Sequence, residues 1–495
     1  MNRPLRWLRR AAVGLALVLA TLIFGKAFEA RSLPDLKPWH RIVPRGELRA
    51  AEMDRGMTLA EYLRREDRVF ADVRRRVEAR VAPEDRTPGN RYFAAGPLNA
   101  SRFTRDWNRT FELAPPAGRE VRGGVLLIHG LTDSPYSLRH VARLFAERGF
   151  YALALRMPGH GTVPAALTEV DWEDWLAAVR LGARHVRGRV GPGKPFVLVG
   201  YSNGGALALE YSLEALEAPE ASSHGDLPRA DRIVLISPML GVTPFAALIR
   251  LTSPLGLVPY FEKSRWGDVL PEYIPFKYNS FPNHAATQTH RLTSTLQGGL
   301  RRAARDGRIA RLPPILTFQS LVDATVSTRA VFDKLYALLD GKDNELVVFD
   351  VNRSATVRPF LREARDETLG GRLLRTPGRR YRLTWITNAS PGTLGVEERT
   401  AAPGATAARV RPLGLSWPPD VYSLSHVALP FPPADALYGS APDPRESFGL
   451  SLGTLSPRGE RAILSVPMNN WMRLTCNPFY PYLEQRVRGW IERLP

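Results

Sequence analysis

An alternation beginning at Gly123 constrains this chain more than any other feature. Short apolar runs take turns with helical stretches. Val125-Leu126-Leu127-Ile128 reads as a buried strand and Ser137 to Arg148 as a helix. The beat continues with strands at Tyr151 to Leu155, Phe196 to Val199 and Arg232 to Ile236. Helices from about Trp172 to Arg187 and from Ala206 to Leu216 fall between them. Strands this apolar have no wet face, so the pattern implies an α/β fold with a mostly parallel sheet and helices on both faces. The alternation breaks at Pro238 and resumes at Ile315 to Phe318. It then runs through a helix at Thr328 to Leu339 and a strand at Leu346 to Phe349, and a last helix is expected at Tyr482 to Arg493. Core halves are therefore expected at 121–239 and 312–350, separated by an insertion at 240–311. A second insertion, 351–422, is rich in Arg, Gly and Pro, and its role is unassigned. Residues 423–495 close the chain.

Residues 1–120 carry different information. Arg3, Arg6, Arg9 and Arg10 precede an uncharged, mostly apolar run from Ala11 to Gly25, about 22 Å long as a helix. Ala27 and Phe28 lengthen it if Lys26 snorkels. Residues 1–30 thus read as a signal anchor or signal peptide. The best cleavage candidate, Gly25-Lys26-Ala27, puts a charge between the small residues, which favours an anchor through 11–28, with the flanking arginines inside and the following domain on the non-cytoplasmic side. The alternative is cleavage and release to the periplasm or medium. In 31–120 a Pro-punctuated linker leads to an amphipathic helix opened by the capping box Thr58/Glu61, and leading strands are expected after it. Leu59, Tyr62, Leu63, Phe70, Val73, Val77 and Val81 form the apolar face of that helix; Arg64, Arg65, Arg68, Arg75 and Arg76 form the other. The chain's net charge is +19, but only seven of its 68 basic residues are Lys. Coding bias explains that skew as well as attraction to anionic partners does. No zinc-finger spacing, RNA-binding signature or long basic run points to nucleic acid. Cys476 is the single cysteine, so neither an intrachain disulfide nor a Cys-rich metal site is possible. The histidines lack ligand spacing, and no metal or cofactor is expected. Oligomeric state is not legible.

The chemistry sits where the strands end. Gly200-Tyr201-Ser202-Asn203-Gly204 closely follows the strand Phe196 to Val199 and directly precedes a helix. A sharp strand–turn–helix corner strains its central residue and requires small neighbours, which Gly200, Gly204 and Gly205 supply. Ser202 is therefore the candidate nucleophile, at a helix N-terminus whose dipole favours developing negative charge.

Three segments, His129-Gly130-Leu131, Met157-Pro158-Gly159-His160-Gly161 and Gly200 to Gly204, resemble the α/β-hydrolase superfamily, particularly its monoglyceride-lipase and carboxylesterase branch. The likeness covers roughly Val121 to Leu339. It implies oxyanion donors at the backbone N–H groups of Leu131 and Asn203. It also implies a triad acid after the strand that follows the cap, the place of Asp323; Asp350, ending the next strand, is the rival. In a triad of chain order Ser, Asp, His, His426 is the one histidine of nine that follows Asp323. Loop-closure cost grows only logarithmically, so the insertion 351–422 can loop out and return His426 to the same rim. His129 and His160 are expected to shape loops. The branch places a cap at 240–311, where Phe245 and Phe261 are candidates to line an acyl-binding surface.

The resemblance implies a serine hydrolase (carboxylesterase or lipase type) that cleaves carboxylic esters, plausibly of lipids or lysolipids, through an acyl-enzyme. Two other classes stay open. One is an acyltransferase or amidase with the same triad; the other is an inactive scaffold of the same fold that acts in binding.

Overall fold

The computed structural model describes residues 33–217, 227–241, 259–323, 325–341, 343–355, 378–419, 423–453 and 473–494, with isolated positions besides. The apolar run 11–28 expected to anchor the chain lies outside the described residues apart from isolated positions. Among the described residues no helix is long and apolar enough to cross a membrane.

The expected alternation folds into one ten-stranded sheet. Its strands are β1 (Phe111–Leu113), β2 (Gly123–Ile128), β3 (Phe150–Leu155), β4 (Phe196–Tyr201), β5 (Arg232–Ile236), β6 (Ile315–Ser320), β7 (Glu345–Phe349), β8 (Arg382–Asn388), β9 (Gly395–Ala401) and β10 (Arg409–Ser416). Their order across the sheet is β1-β3-β2-β4-β5-β6-β7-β8-β9-β10. From β3 to β8 every pair is parallel; β1, β9 and β10 pair antiparallel. The longer helices among the described residues are α1 (Leu59–Arg76), α2 (Arg139–Ala146), α3 (Trp172–Val190), α4 (Asn203–Glu217), α5 (Asn283–Arg305) and α6 (Tyr480–Ile491). Alternating side chains of β2 serve both faces. Leu126 and Ile128 join a buried cluster with residues of α3 and α4, whereas Val125 and Leu127 join one with residues of α2 and α6.

The described part of 351–422 departs from expectation. It does not loop out of the fold but widens the sheet by three strands. β8 lies parallel to β7, with Leu383 beside Leu346, and β9 and β10 fold back in turn. The pattern hid these strands for a physical reason. β8 mixes Thr, Arg and Asn with its apolar residues, and β10 is a largely solvent-facing edge carrying Arg409, Arg411 and Pro412. The insertion 240–311 also divides in two. Its second half is α5, whose Leu292, Leu296 and Leu300 share one face and join the cluster that contains α4.

The N-terminal helix is tied to the sheet by a buried charge network. The capping box forms as expected, with the Glu61 amide donating to Thr58 Oγ1 at 3.3 Å and the Thr58 amide donating to Glu61 Oε2 at 2.8 Å. Buried Glu66 interrupts the apolar face of α1. Its partner is Arg156, fully buried just past β3. Arg156 Nε donates to Glu66 Oε2 at 3.1 Å, Nη2 to Glu47 Oε1 at 2.9 Å, and Nη1 to the His160 carbonyl at 2.9 Å. Burial works against both carboxylates. Arg156 and backbone N–H groups outweigh it at Glu47, which is held below its ordinary value, but not at Glu66, which stays above. Removing the guanidinium strands two buried acids, so Arg156→Ala should destabilise the fold by about 3–5 kcal/mol. Urea denaturation of the variant beside the parent checks this, and a loss within ~0.5 kcal/mol would contradict it.

Candidate active site

The carboxyl ends of β2, β4, β5 and β6 converge on one cavity of about 300 Å³ lined by Ser202 and His426. It opens where the connections after β2 and β4 run in opposite directions across the sheet, the usual place for a crevice in open α/β folds.

Ser202 directly follows β4 and adopts φ 53°, a left-handed conformation unfavourable for a residue with a Cβ. Three backbone bonds hold it there: its amide donates to the Ile236 carbonyl at 3.0 Å, and its carbonyl accepts from the amides of Met239 and Gly205, both at 2.9 Å. The corner is too close-packed for larger neighbours. A Cβ on Gly204 would lie 2.0 Å from the Ile128 carbonyl oxygen, and one on Gly200 would lie 2.5 Å from that of Gly204. Neither position has room for a side chain.

His426 reaches Ser202 from the C-terminal segment. Its Nε2 is 3.0 Å from Ser202 Oγ, and its Nδ1 is 2.7 Å from Asp323 Oδ2. A carboxylate beyond Nδ1 fixes the tautomer: Nδ1–H donates to Asp323 and Nε2 accepts from the serine hydroxyl. The imidazole also stacks on Tyr201, with ring centroids 5.6 Å apart. Asp323 follows β6, and its Oδ1 accepts from the amides of Thr325 at 2.8 Å and Val326 at 3.0 Å. Burial pushes its carboxyl up, but His426 and these amides win and hold it below the ordinary value. The rival Asp350 is committed elsewhere. It accepts from Arg353 at 2.8 and 3.0 Å, Trp385 Nε1 at 3.0 Å and Thr387 Oγ1 at 2.8 Å.

Leu131 lines the cavity, and its amide donates to no backbone carbonyl among the described residues. Asn203 opens α4, so its amide has no partner within the helix. His129 and His160 shape loops: His129 Nε2 accepts from the Met157 amide at 3.0 Å while Nδ1 lies 2.9 Å from the Gly130 carbonyl. Phe245 and the Phe261 side chain lie outside the described residues. The apolar lining that is described comes from Leu131, Met239, Phe281, Ala286, Val427 and Phe431. The sequence reading missed most of these because they come from turns and distant segments without periodicity. It also passed over Asp133 and Lys277, which line the same cavity. A charged residue in the turn ending β2 was the available signal. Among the described residues no cluster of three or more His, Cys, Asp or Glu side chains is arranged to hold a metal ion.

A profile of the alpha/beta hydrolase family matches residues 125–379, just over half of the chain. The thermostable monoacylglycerol lipase of Bacillus sp. (strain H-257) is 35% identical over 86 residues, 17% of this chain and 33% of that protein. The matched stretch thus spans about a third of that curated relative's length. Among solved structures, a metagenome-derived lipolytic enzyme aligns at 21% identity over 49% of this chain and 87% of its own, with a TM-score of 0.36. A monoglyceride lipase from Saccharomyces cerevisiae aligns at 14% identity over 49% of this chain and 82% of its own, with a TM-score of 0.37.

The loop that follows His426 is pinned by Asp435, which is fully buried. Asp435 accepts from Tyr136 Oη at 2.9 Å, lies 2.9 Å from His140 Nε2 and pairs with Arg139 at 3.1 Å. Burial opposes its charge, but His140 and Arg139 outweigh that and pull its pKa down to about 2. A depressed folded-state pKa stabilises above the unfolded value near 3.8, and the contribution fades as pH falls toward 2. Asp435→Asn should therefore cost roughly 2–3 kcal/mol at pH 6, and visibly less at pH 3. Denaturant titrations at both pH values test this; an equal cost at both would remove the electrostatic account.

Proposed function

The chain belongs to the alpha/beta hydrolase family, and we propose that it is a serine hydrolase of carboxylic esters, acting through an acyl-enzyme. The observation that carries this reading is the unbroken hydrogen-bond chain Ser202 Oγ, His426 Nε2, His426 Nδ1, Asp323 Oδ2, with spacings of 3.0 and 2.7 Å. In this reading Ser202 Oγ attacks the ester carbonyl carbon as His426 Nε2 takes its proton. Asp323 stabilises the imidazolium so formed. The tetrahedral oxyanion would sit against the amides of Leu131 and Asn203, donors of a kind worth about 3–4 kcal/mol each in the transition state. Collapse expels the alcohol, which leaves with the proton from His426. Water, deprotonated by His426, then attacks the acyl-enzyme, releasing the acid and restoring Ser202.

The apolar wall of the cavity supports an acyl chain as the buried part of the substrate, which fits a lipid or lysolipid ester. An inactive scaffold gives no reason to keep a strained serine hydrogen-bonded to an oriented imidazole. Transfer of the acyl group to another alcohol or to an amine uses the same residues, and product analysis with an added nucleophile separates it from hydrolysis. Ser202→Ala should abolish covalent labelling by a fluorophosphonate. His426→Ala should lower ester turnover by several orders of magnitude, about 10³-fold or more. Undiminished labelling of the first variant, or near-normal turnover by the second, would refute these roles.

The arginine-flanked apolar run 11–28 we propose as an uncleaved signal anchor that leaves the catalytic part outside the cytoplasm. Membrane fractionation with N-terminal sequencing should recover an intact N-terminus in the membrane fraction. A mature chain starting after Ala27 in the soluble fraction would replace anchoring with secretion.

A further inference from the structure

A buried amide in the central sheet stands one step behind the triad. Gln319, next to last in β6, is fully buried. Leu316 and Phe318 of β6 join one apolar cluster and Ile315 the other, so by alternation Gln319 falls on the Ile315 side. A polar side chain is costly in such a place unless its atoms are bonded. Only half of this one is. Its Oε1 has no hydrogen-bond partner, while its Nε2 lies 3.3 Å from Asp323 Oδ2, 3.1 Å from Thr328 Oγ1 and 3.3 Å from the Ser320 carbonyl oxygen. The amide has to present its nitrogen there, because a carboxylate and a carbonyl can only accept. Thr328 spends its own hydroxyl hydrogen on the Ser320 carbonyl at 2.9 Å, so its oxygen is also an acceptor toward Gln319. The side chain is thus kept for its donor, at the cost of an unpaired oxygen.

That donor completes Asp323. A carboxylate offers about four acceptor positions. The amides of Thr325 and Val326 fill those at Oδ1, and His426 Nδ1–H takes one at Oδ2. Gln319 takes the other, on the same oxygen as the imidazole. The Thr325 and Val326 amides belong to the turn of Asp323 itself, whereas Gln319 is fixed in the sheet beside β5, which also holds the Ser202 corner. The titratable side chains set against this carboxylate are His426 and Tyr201, the ring on which His426 stacks. We propose that Gln319 is a positioning residue of the triad, whose amide N–H fixes the plane of the Asp323 carboxylate and shares the charge on the oxygen that holds His426. This rests on the hydrolase reading and deepens it. Without the donor, Oδ2 carries more uncompensated charge, favours the imidazolium and is free to rotate. With a carboxyl in place of the amide, the bond survives only while that carboxyl keeps its proton, because two adjacent carboxylates resist ionising together.

The test follows hydrolysis of para-nitrophenyl butyrate by the full chain across acid and alkaline pH, with circular dichroism to check folding. Gln319→Met, similar in size, should lower kcat by about ten-fold or more with KM little changed, as expected when a reacting group is misplaced. It should also move the acid limb of the kcat/KM profile up by about half a pH unit, since the imidazolium is favoured. Gln319→Glu should depart from the parent in the opposite sense, nearest to it at the acid end and falling behind as rising pH ionises the introduced carboxyl. Thr328→Val keeps the shape but removes the acceptor that steers the amide, so it should shift the acid limb as Gln319→Met does, by less. It carries the test if Gln319→Met does not fold. If the parent is labelled by a fluorophosphonate but leaves this ester intact, the labelling rate against pH gives the same readout. A packing role would lower activity evenly and leave the limbs in place. That result, or parent-like kcat in the folded variants, overturns the positioning role and leaves the hydrolase reading standing. A parent that is neither labelled nor active rejects the hydrolase reading, and this role with it.

Discussion

The left-handed backbone of Ser202 is the constraint around which this molecule is arranged. A residue held at φ 53° costs on the order of 1–3 kcal/mol, and surrounding structure must over-determine it. Here that structure is the parallel sheet itself. Ser202 is bonded to β5 through Ile236, and β2 presses its Ile128 carbonyl against Gly204. Thr132 and Ser237 are the other non-glycine residues with positive φ among the described residues, and they follow the adjacent strands β2 and β5. Backbone strain in the described chain is therefore concentrated at one rim of the sheet, beside the cavity.

Buried charge is handled in two opposite ways. Around Arg156 and Asp435 each ion is met by several partners, and such networks fix the approach of α1 and of the His426 loop. Around Asp133 one oxygen is left without a partner in the wall of the cavity. The first arrangement serves rigidity. The second raises the Asp133 carboxyl to about 6, because burial outweighs the groups that support its charge.

Much of the fold was legible because its central strands are apolar on both faces, and Val125 to Ile128 or Phe196 to Val199 fit little else. Ser202 was legible because strain forces glycines next to it. His426 and Asp323 were located through chain order, and the structure brings them within hydrogen-bonding distance of each other although 103 residues separate them. What escaped had no local signal. Strand β8 carries threonines because Thr384 and Thr387 donate to the buried carboxylates of Glu345 and Asp350, and β10 carries arginine and proline because it is an edge that faces water. Glu66 sits on an apolar helix face because its partner Arg156 is 90 residues away. Phe431 and Val427 reach the cavity through a loop whose course is fixed by the bonds of Asp435 to Tyr136, Arg139 and His140, nearly 300 residues earlier in the chain.

The path of the chain to His426 has a consequence for the order in which the protein matures. Ser202 and His426 are 224 residues apart, and four sheet strands, β7 to β10, are laid down between Asp323 and the imidazole. Contacts of such sequence separation form late, because each requires a large entropic closure before it returns any stabilisation. During synthesis the N-terminal part of the sheet emerges first and can condense while His426 is still inside the ribosome. The strained serine is thus assembled before the imidazole that it hydrogen-bonds. The hydrogen bond between them forms only once residue 426 has emerged, so a shorter nascent chain can be compact and still lack it.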